Sequence, residues 1–98
     1  MKIMILSKKF GSVLNGICAA EKLAEDVKLE LEKTNQPVQL DFHGVKTISR
    51  PFARMLFQQI ISTQPKRTFY SKVRIKNLAA SQRPTVEQAI ELAEKKIA

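Results

Sequence analysis

Residues 39–60, QLDFHGVKTISRPFARMLFQQI, constrain the fold more than any other stretch of the chain. Val38, Leu40 and Phe42 alternate with Gln39 and Asp41, the period of a strand with one buried face. His43-Gly44 then turns the chain, and Val45 and Ile48 are expected to pack back onto the core. Ser49 has the chemistry of a helix N-cap, and Pro51 falls in the first turn, where its missing N–H costs nothing. Phe52, Ala53, Leu56, Phe57, Ile60 and Ile61 follow at helical spacing. Theirs is the broadest apolar stripe in the sequence, so this helix is expected to be the most buried.

The flanking elements follow the same logic. Residues 2–6 read as a short strand and residues 7–15 as a loop. A first helix starts near Asn15 or Gly16, with Asn15 as its expected N-cap. Ile17, Ala20, Leu23, Ala24, Val27 and Leu31 mark its apolar face, and the chain leaves the helix over residues 34–37, ahead of Pro37. Residues 64–69 read as a basic loop around Pro65. Residues 72–78 alternate, with Val73, Ile75 and Asn77 on one side and Lys72, Arg74 and Lys76 on the other. A row of cations is how natural sheets protect an exposed edge. Residues 80–84 read as a linker. A last helix over 85–96 starts with a Thr85/Gln88 capping box and carries Val86, Ala89, Ile90, Ala93 and Ile97 on one side. Strand–helix–strand–helix–strand–helix order predicts a small α/β layer with a mostly parallel sheet, forming one domain over residues 1–98.

Charge is distributed unevenly. The formal net charge is +8, and residues 37–84 hold nine Lys/Arg against one acid, Asp41, which accounts for the whole excess. Such a field favours nucleic acid, anionic lipid or an acidic protein as partner. Cys18 is the single cysteine, which excludes an internal disulfide and any cysteine-rich zinc or iron–sulfur cluster; it reads as a small hydrophobe, and a cytoplasmic setting is expected. No window approaches the ~20 apolar residues of a membrane helix. Gly11, Gly16 and Gly44 carry no Walker or dinucleotide fingerprint, and His43 stands alone, so neither a cofactor nor a metal is expected.

The ordered set LDFHGV (40–45), Ile48-Ser49 and FARMLF (52–57), with the glycine loop and first helix over 10–27 and the strand ending at Asn77, resembles the STAS-like domain family. These are small bacterial relatives of anti-anti-sigma factor domains, and the likeness spans about residues 3–78. It implies a non-enzymatic regulatory or interaction module of bacterial or phage origin. It also implies a serine at the start of the helix after the central strand, phosphorylated by a partner kinase. Here Pro51 occupies that position, and Ser49 stands where the family carries an aspartate. Proline accepts no phosphate, so the switch is expected to be absent. Phosphate on Ser49 itself would be tolerated electrostatically, although its expected role is the structural cap.

Two surfaces are candidate sites. Lys46, Ser49, Arg50, Arg54 and Gln58 cluster at the start of the second long helix, where unpartnered N–H groups favour anions; they are expected to dock a partner protein, acidic or ATPase-like. Lys66, Arg67, Lys72, Arg74 and Lys76 form the second, suited to sequence-blind nucleic-acid binding. Asp41 is expected to bind turn N–H groups or a basic side chain instead of acting in catalysis. Homodimerisation through the last helix or an unpaired sheet edge is a further expectation.

Overall fold

Burial alternates along the central strand, and this orients the whole molecule. Val38 and Leu40 are buried while Gln39 and Asp41 are half-buried. The computed structural model describes residues 2–63 and 66–97. In chain order they form β1 (Lys2–Ile5), α1 (Leu6–Phe10), β2 (Val13–Leu14), α2 (Ile17–Thr34), β3 (Val38–Asp41), β4 (Thr47–Ile48), α3 (Arg50–Thr63), α4 (Lys66–Lys72), β5 (Val73–Lys76) and α5 (Arg83–Ile97).

The main sheet has the order β1-β3-β5 and is parallel throughout. Each step moves to the next strand in the same direction. Right-handed crossovers, the rule for such units, therefore place α2 and α3 on one face and leave the other uncovered. Burial follows. Met4, Val38, Leu40 and Val73 are buried on the helical side, whereas Ile3, Arg74 and Lys76 are exposed on the other. The core is completed by Leu23, Val27, Leu56, Phe57 and Ile60, all fully buried, with α5 packed on α3 through Val86, Ala89 and Ala93.

The expected α/β class and mostly parallel sheet are present; several local expectations are corrected. Residues 7–15 are not a plain loop. They contain α1, anchored by the fully buried Leu6, and β2, which pairs in parallel with β4 (Val13 with Thr47, Leu14 with Ile48). Asn15 does not cap α2: the helix starts after Gly16, with no side-chain cap, and Ile17 is 49% exposed instead of joining the apolar stripe. Cys18 is likewise exposed. Residues 64 and 65 lie outside the described set, but 66–72 are helical, because Phe69 is buried edge-on against Phe57 at 6.0 Å. Lys72 therefore ends a helix and does not belong to the strand. The last helix begins at Arg83, so Thr85 is inside it and caps nothing. Residues 80–82 form an ordered turn and residues 83–84 are already helical, so the stretch is not a loose linker. Gln82 N–H donates to Ala79 O at 2.9 Å, and Gln82, only 4% exposed, donates its side-chain amide to Val45 O at 2.8 Å.

Candidate functional site: the N-terminal face of α3

Ser49 joins β4 to α3, and its surroundings hold the helix start rigidly. Lys46 N–H and Thr47 N–H both donate to Ser12 O, at 2.7 and 3.2 Å, and Ser49 N–H donates to Leu14 O at 2.9 Å. The β2–β4 ladder thus clamps the glycine loop beside the helix. Ser49 Oγ accepts from Phe52 N–H at 3.2 Å, the expected cap, and Ser49 O accepts the first helical bond from Ala53 at 3.1 Å. A cap of this kind contributes about 0.5–2 kcal/mol. Phe52 is fully buried and meets Phe10 edge-on at 6.3 Å, which ties the first turn to α1.

This geometry revises the anion-site idea. Pro51 has no N–H and Phe52 N–H is taken by Ser49, so the first turn offers a ligand little more than Arg50 N–H. Attraction for anions must come from side chains. Lys46, Arg50 and Arg54 are all exposed, and among the described residues neither arginine side chain makes an ion pair or hydrogen bond. Six buried residues seat the opposite side of α3: Phe52, Ala53, Leu56, Phe57, Ile60 and Ile61. The arginines point outward because that stripe points inward.

Arg54 and Gln58 continue into a feature the sequence did not suggest. Together with Ala89, Leu92, Ala93 and Lys95 of α5 they line a groove of about 470 Å³. Ala89 and Ala93 are small and buried, and Leu92, 38% exposed, stands at the lip. The small residues at four-residue spacing in α5 were the one sequence signal for it. The result is a cationic helix face running into an apolar furrow.

A family model for STAS-like domains of unknown function matches residues 19–83. The chain belongs to this family. The match takes in α2 through β5 and ends where α5 begins. Searches of curated proteins and of solved structures gave no match. STAS-like domains are generally non-enzymatic, and among the described residues no cluster of three His, Cys, Asp or Glu side chains is arranged to hold a metal. No helix among those residues is long and apolar enough to cross a membrane.

At the carboxyl end of its sheet, this STAS-like domain uses Asp41 as a turn organiser. Asp41 Oδ1 accepts from His43 N–H at 2.9 Å and from Asn77 Nδ2 at 2.8 Å. The expected turn bond is present; its second partner is Asn77, not a basic side chain. Ser7 Oγ closes the cluster by donating to His43 O at 2.9 Å. Gly44 adopts φ +85°, which favours glycine, and a Cβ there would lie 3.0 Å from Ser7 Oγ, so Ser7 would also have to give way slightly. The bonds from Asn77, and next from His43 N–H, hold the Asp41 carboxyl below its ordinary value of 3.8. The sign follows: the bonds favour the ionised form, so their stabilisation is present above the ordinary value and lost as pH falls through the lowered one. The stability difference between wild type and Asp41→Asn should therefore shrink on acidification below that ordinary value. Thermal melts across an acid pH series measure it, and a pH-independent difference would contradict this role.

The second candidate surface is only partly assembled. Arg74 and Lys76 are exposed on the uncovered sheet face, in register with Gln39 and Asp41. Lys72 is engaged elsewhere: its Nζ donates to Asn35 O at 2.6 Å and Asn35 Oδ1 at 2.7 Å, capping the negative end of α2. The side chains of Lys66 and Arg67 lie outside the described residues. The row expected from strict alternation is therefore reduced to two cations, because the helix α4 takes Lys72 off the strand.

Proposed function

We propose that this STAS-like domain is a non-enzymatic regulatory module that docks an acidic partner protein on the outward face of α3, through Lys46, Ser49, Arg50, Arg54 and Gln58. The observation that carries the reading is the pair of exposed arginines that find no side-chain partner among the described residues, on a helix otherwise seated in the core. The Arg54–Gln58 groove supplies apolar contact next to that charge, the combination that gives an interface both steering and adhesion. Ser49 serves as cap and edge contact. With Pro51 at the family's acceptor position, docking would not be gated by phosphate there. A rim charge mostly sets association rate and salt dependence, while a like-charge clash costs several kcal/mol. Reversing both arginines (R50E with R54E) should therefore weaken partner capture by about tenfold or more, or ~1.4 kcal/mol. The thermal midpoint should be unchanged, since both side chains are exposed. Capture from the native host, with and without nuclease, checks this, and unchanged, nuclease-resistant capture by the double variant would overturn the assignment.

A second reading rests on Arg74 and Lys76 at the sheet edge: salt-dependent binding of nucleic acid, aided by Lys66 and Arg67, with Lys72 held at the end of α2. It is weaker. The uncovered face carries Ile3, Ile5, Gln39 and Asp41 beside those cations and lacks, among the described residues, the aromatic platforms that single strands stack on. Counterion-driven affinity is greatest at low salt, so an absence of DNA and RNA binding there would remove this reading.

A further inference from the structure

We infer that two copies of this chain pair through the open edge of β1 and the flank of α2, forming a two-fold dimer with a continuous sheet. Among the described residues β1 has a neighbour on one side alone, β3. Lys2 N–H donates to Pro37 O at 3.0 Å, which fixes the phase: residues 2 and 4 bond inward, and the N–H and C=O of Ile3 point to the free side. A two-fold axis beside Ile3 lets the Ile3 of each copy exchange both of these bonds with the other in an antiparallel pair. Ile3 is 50% exposed, and Leu29 on the adjacent flank of α2 is 56% exposed, so both edge and helix present unburied apolar surface.

Charge identifies the occupant as a second copy. Beside β1 is a hollow of about 640 Å³, whose charged lining is Lys2, Lys9 and Lys33 against Asp26, Glu30 and Glu32. On a chain of net charge +8, this surface is locally neutral, so two copies can approach here without the repulsion met elsewhere. The patch is also self-complementary. In two antiparallel α2 helices related by an axis between Leu29 and Glu30, Asp26 and Lys33 are equally spaced about that axis, so each Asp26, already 3.4 Å from Lys9 of its own chain, also faces Lys33 of the second copy. The opposite sheet edge, β5, carries Arg74 and Lys76, and its own copy would repel it.

The test is a cysteine placed at the axis together with hydrodynamic mass. In a hydrogen-bonded antiparallel pair the two Cα atoms lie about 5.5 Å apart, within the roughly 4.4–6.8 Å that a disulfide spans. Ile3→Cys in a Cys18→Ser background should therefore form a covalent dimer on mild oxidation, while Arg74→Cys in the same background should not. Sedimentation of the unmodified chain should show doubled mass on raising concentration. Ile3→Asp and Leu29→Asp should each return it to monomer with the thermal midpoint of the isolated domain retained, because both side chains are exposed. A chain that stays monomeric at every concentration and gives no Ile3→Cys cross-link overturns the proposal. So does a dimer indifferent to both aspartates. The α3 face is not involved, so capture by Arg50 and Arg54 succeeds or fails independently.

Discussion

Phe52→Ala is expected to destabilise the domain by about 3–5 kcal/mol, the cost of deleting a fully buried aromatic side chain and leaving a cavity. The side chain has no exposed surface and contacts Phe10 edge-on at 6.3 Å with the rings 71° apart. It lies in the first turn of α3, three residues after the capping serine, so its loss releases the helix start from α1 as well as from the core. A domain of this size has a total stability of about 5–15 kcal/mol, and the variant should therefore sit close to its unfolding threshold. Urea unfolding measures the loss. Arg50→Ala, two residues away and exposed, should change stability by no more than about 0.5 kcal/mol. Equal effects from the two substitutions would mean that the helix is not seated as described.

Gln82 is expected to matter nearly as much, for a different reason. Its amide is 4% exposed and donates to Val45 O, while its Oε1 accepts from Ala79 N–H at 3.4 Å. Val45 is itself buried, so removing the amide leaves a desolvated carbonyl without a donor. The expected cost of Gln82→Ala is about 1–3 kcal/mol. Gln82→Glu is the sharper test, because it keeps the shape but turns an oxygen toward the Val45 oxygen; it should cost at least as much. The bond ties the start of α5 to the turn after β3, so amide exchange should accelerate first in α5. Full retention of stability by Gln82→Glu would show the side chain to be solvated.

These two residues mark where sequence reasoning reaches and where it stops. Phe52 was legible because α3 is written locally: cap, proline, then an apolar stripe at helical spacing. The same holds for β3 and for the buried face of α2. Gln82 was not legible, since its partner is 37 residues away and nothing near it announces a buried amide. The β2–β4 ladder was missed for the same reason: two-residue strands have no period, and pairing across the fold creates them. Helix α4 owes its position to Phe69 meeting Phe57, again a distant contact, and with it Lys72 left the basic row for the end of α2. Within the candidate site, the arginine face could be read from spacing. The α5 wall of the groove could not, because it depends on how two helices pack.

The central claim is that the outward face of α3, held rigid by its buried stripe, is where a partner docks. Hydrogen exchange of the domain, alone and saturated with the partner it captures, tests this directly. Protection should appear at the Ser49 junction, along the first two turns of α3 and on the α5 residues facing Arg54 and Gln58, with the amides of β5 unchanged. Protection confined to β5 and the uncovered sheet face, with the α3 amides exchanging as in the free domain, would contradict it.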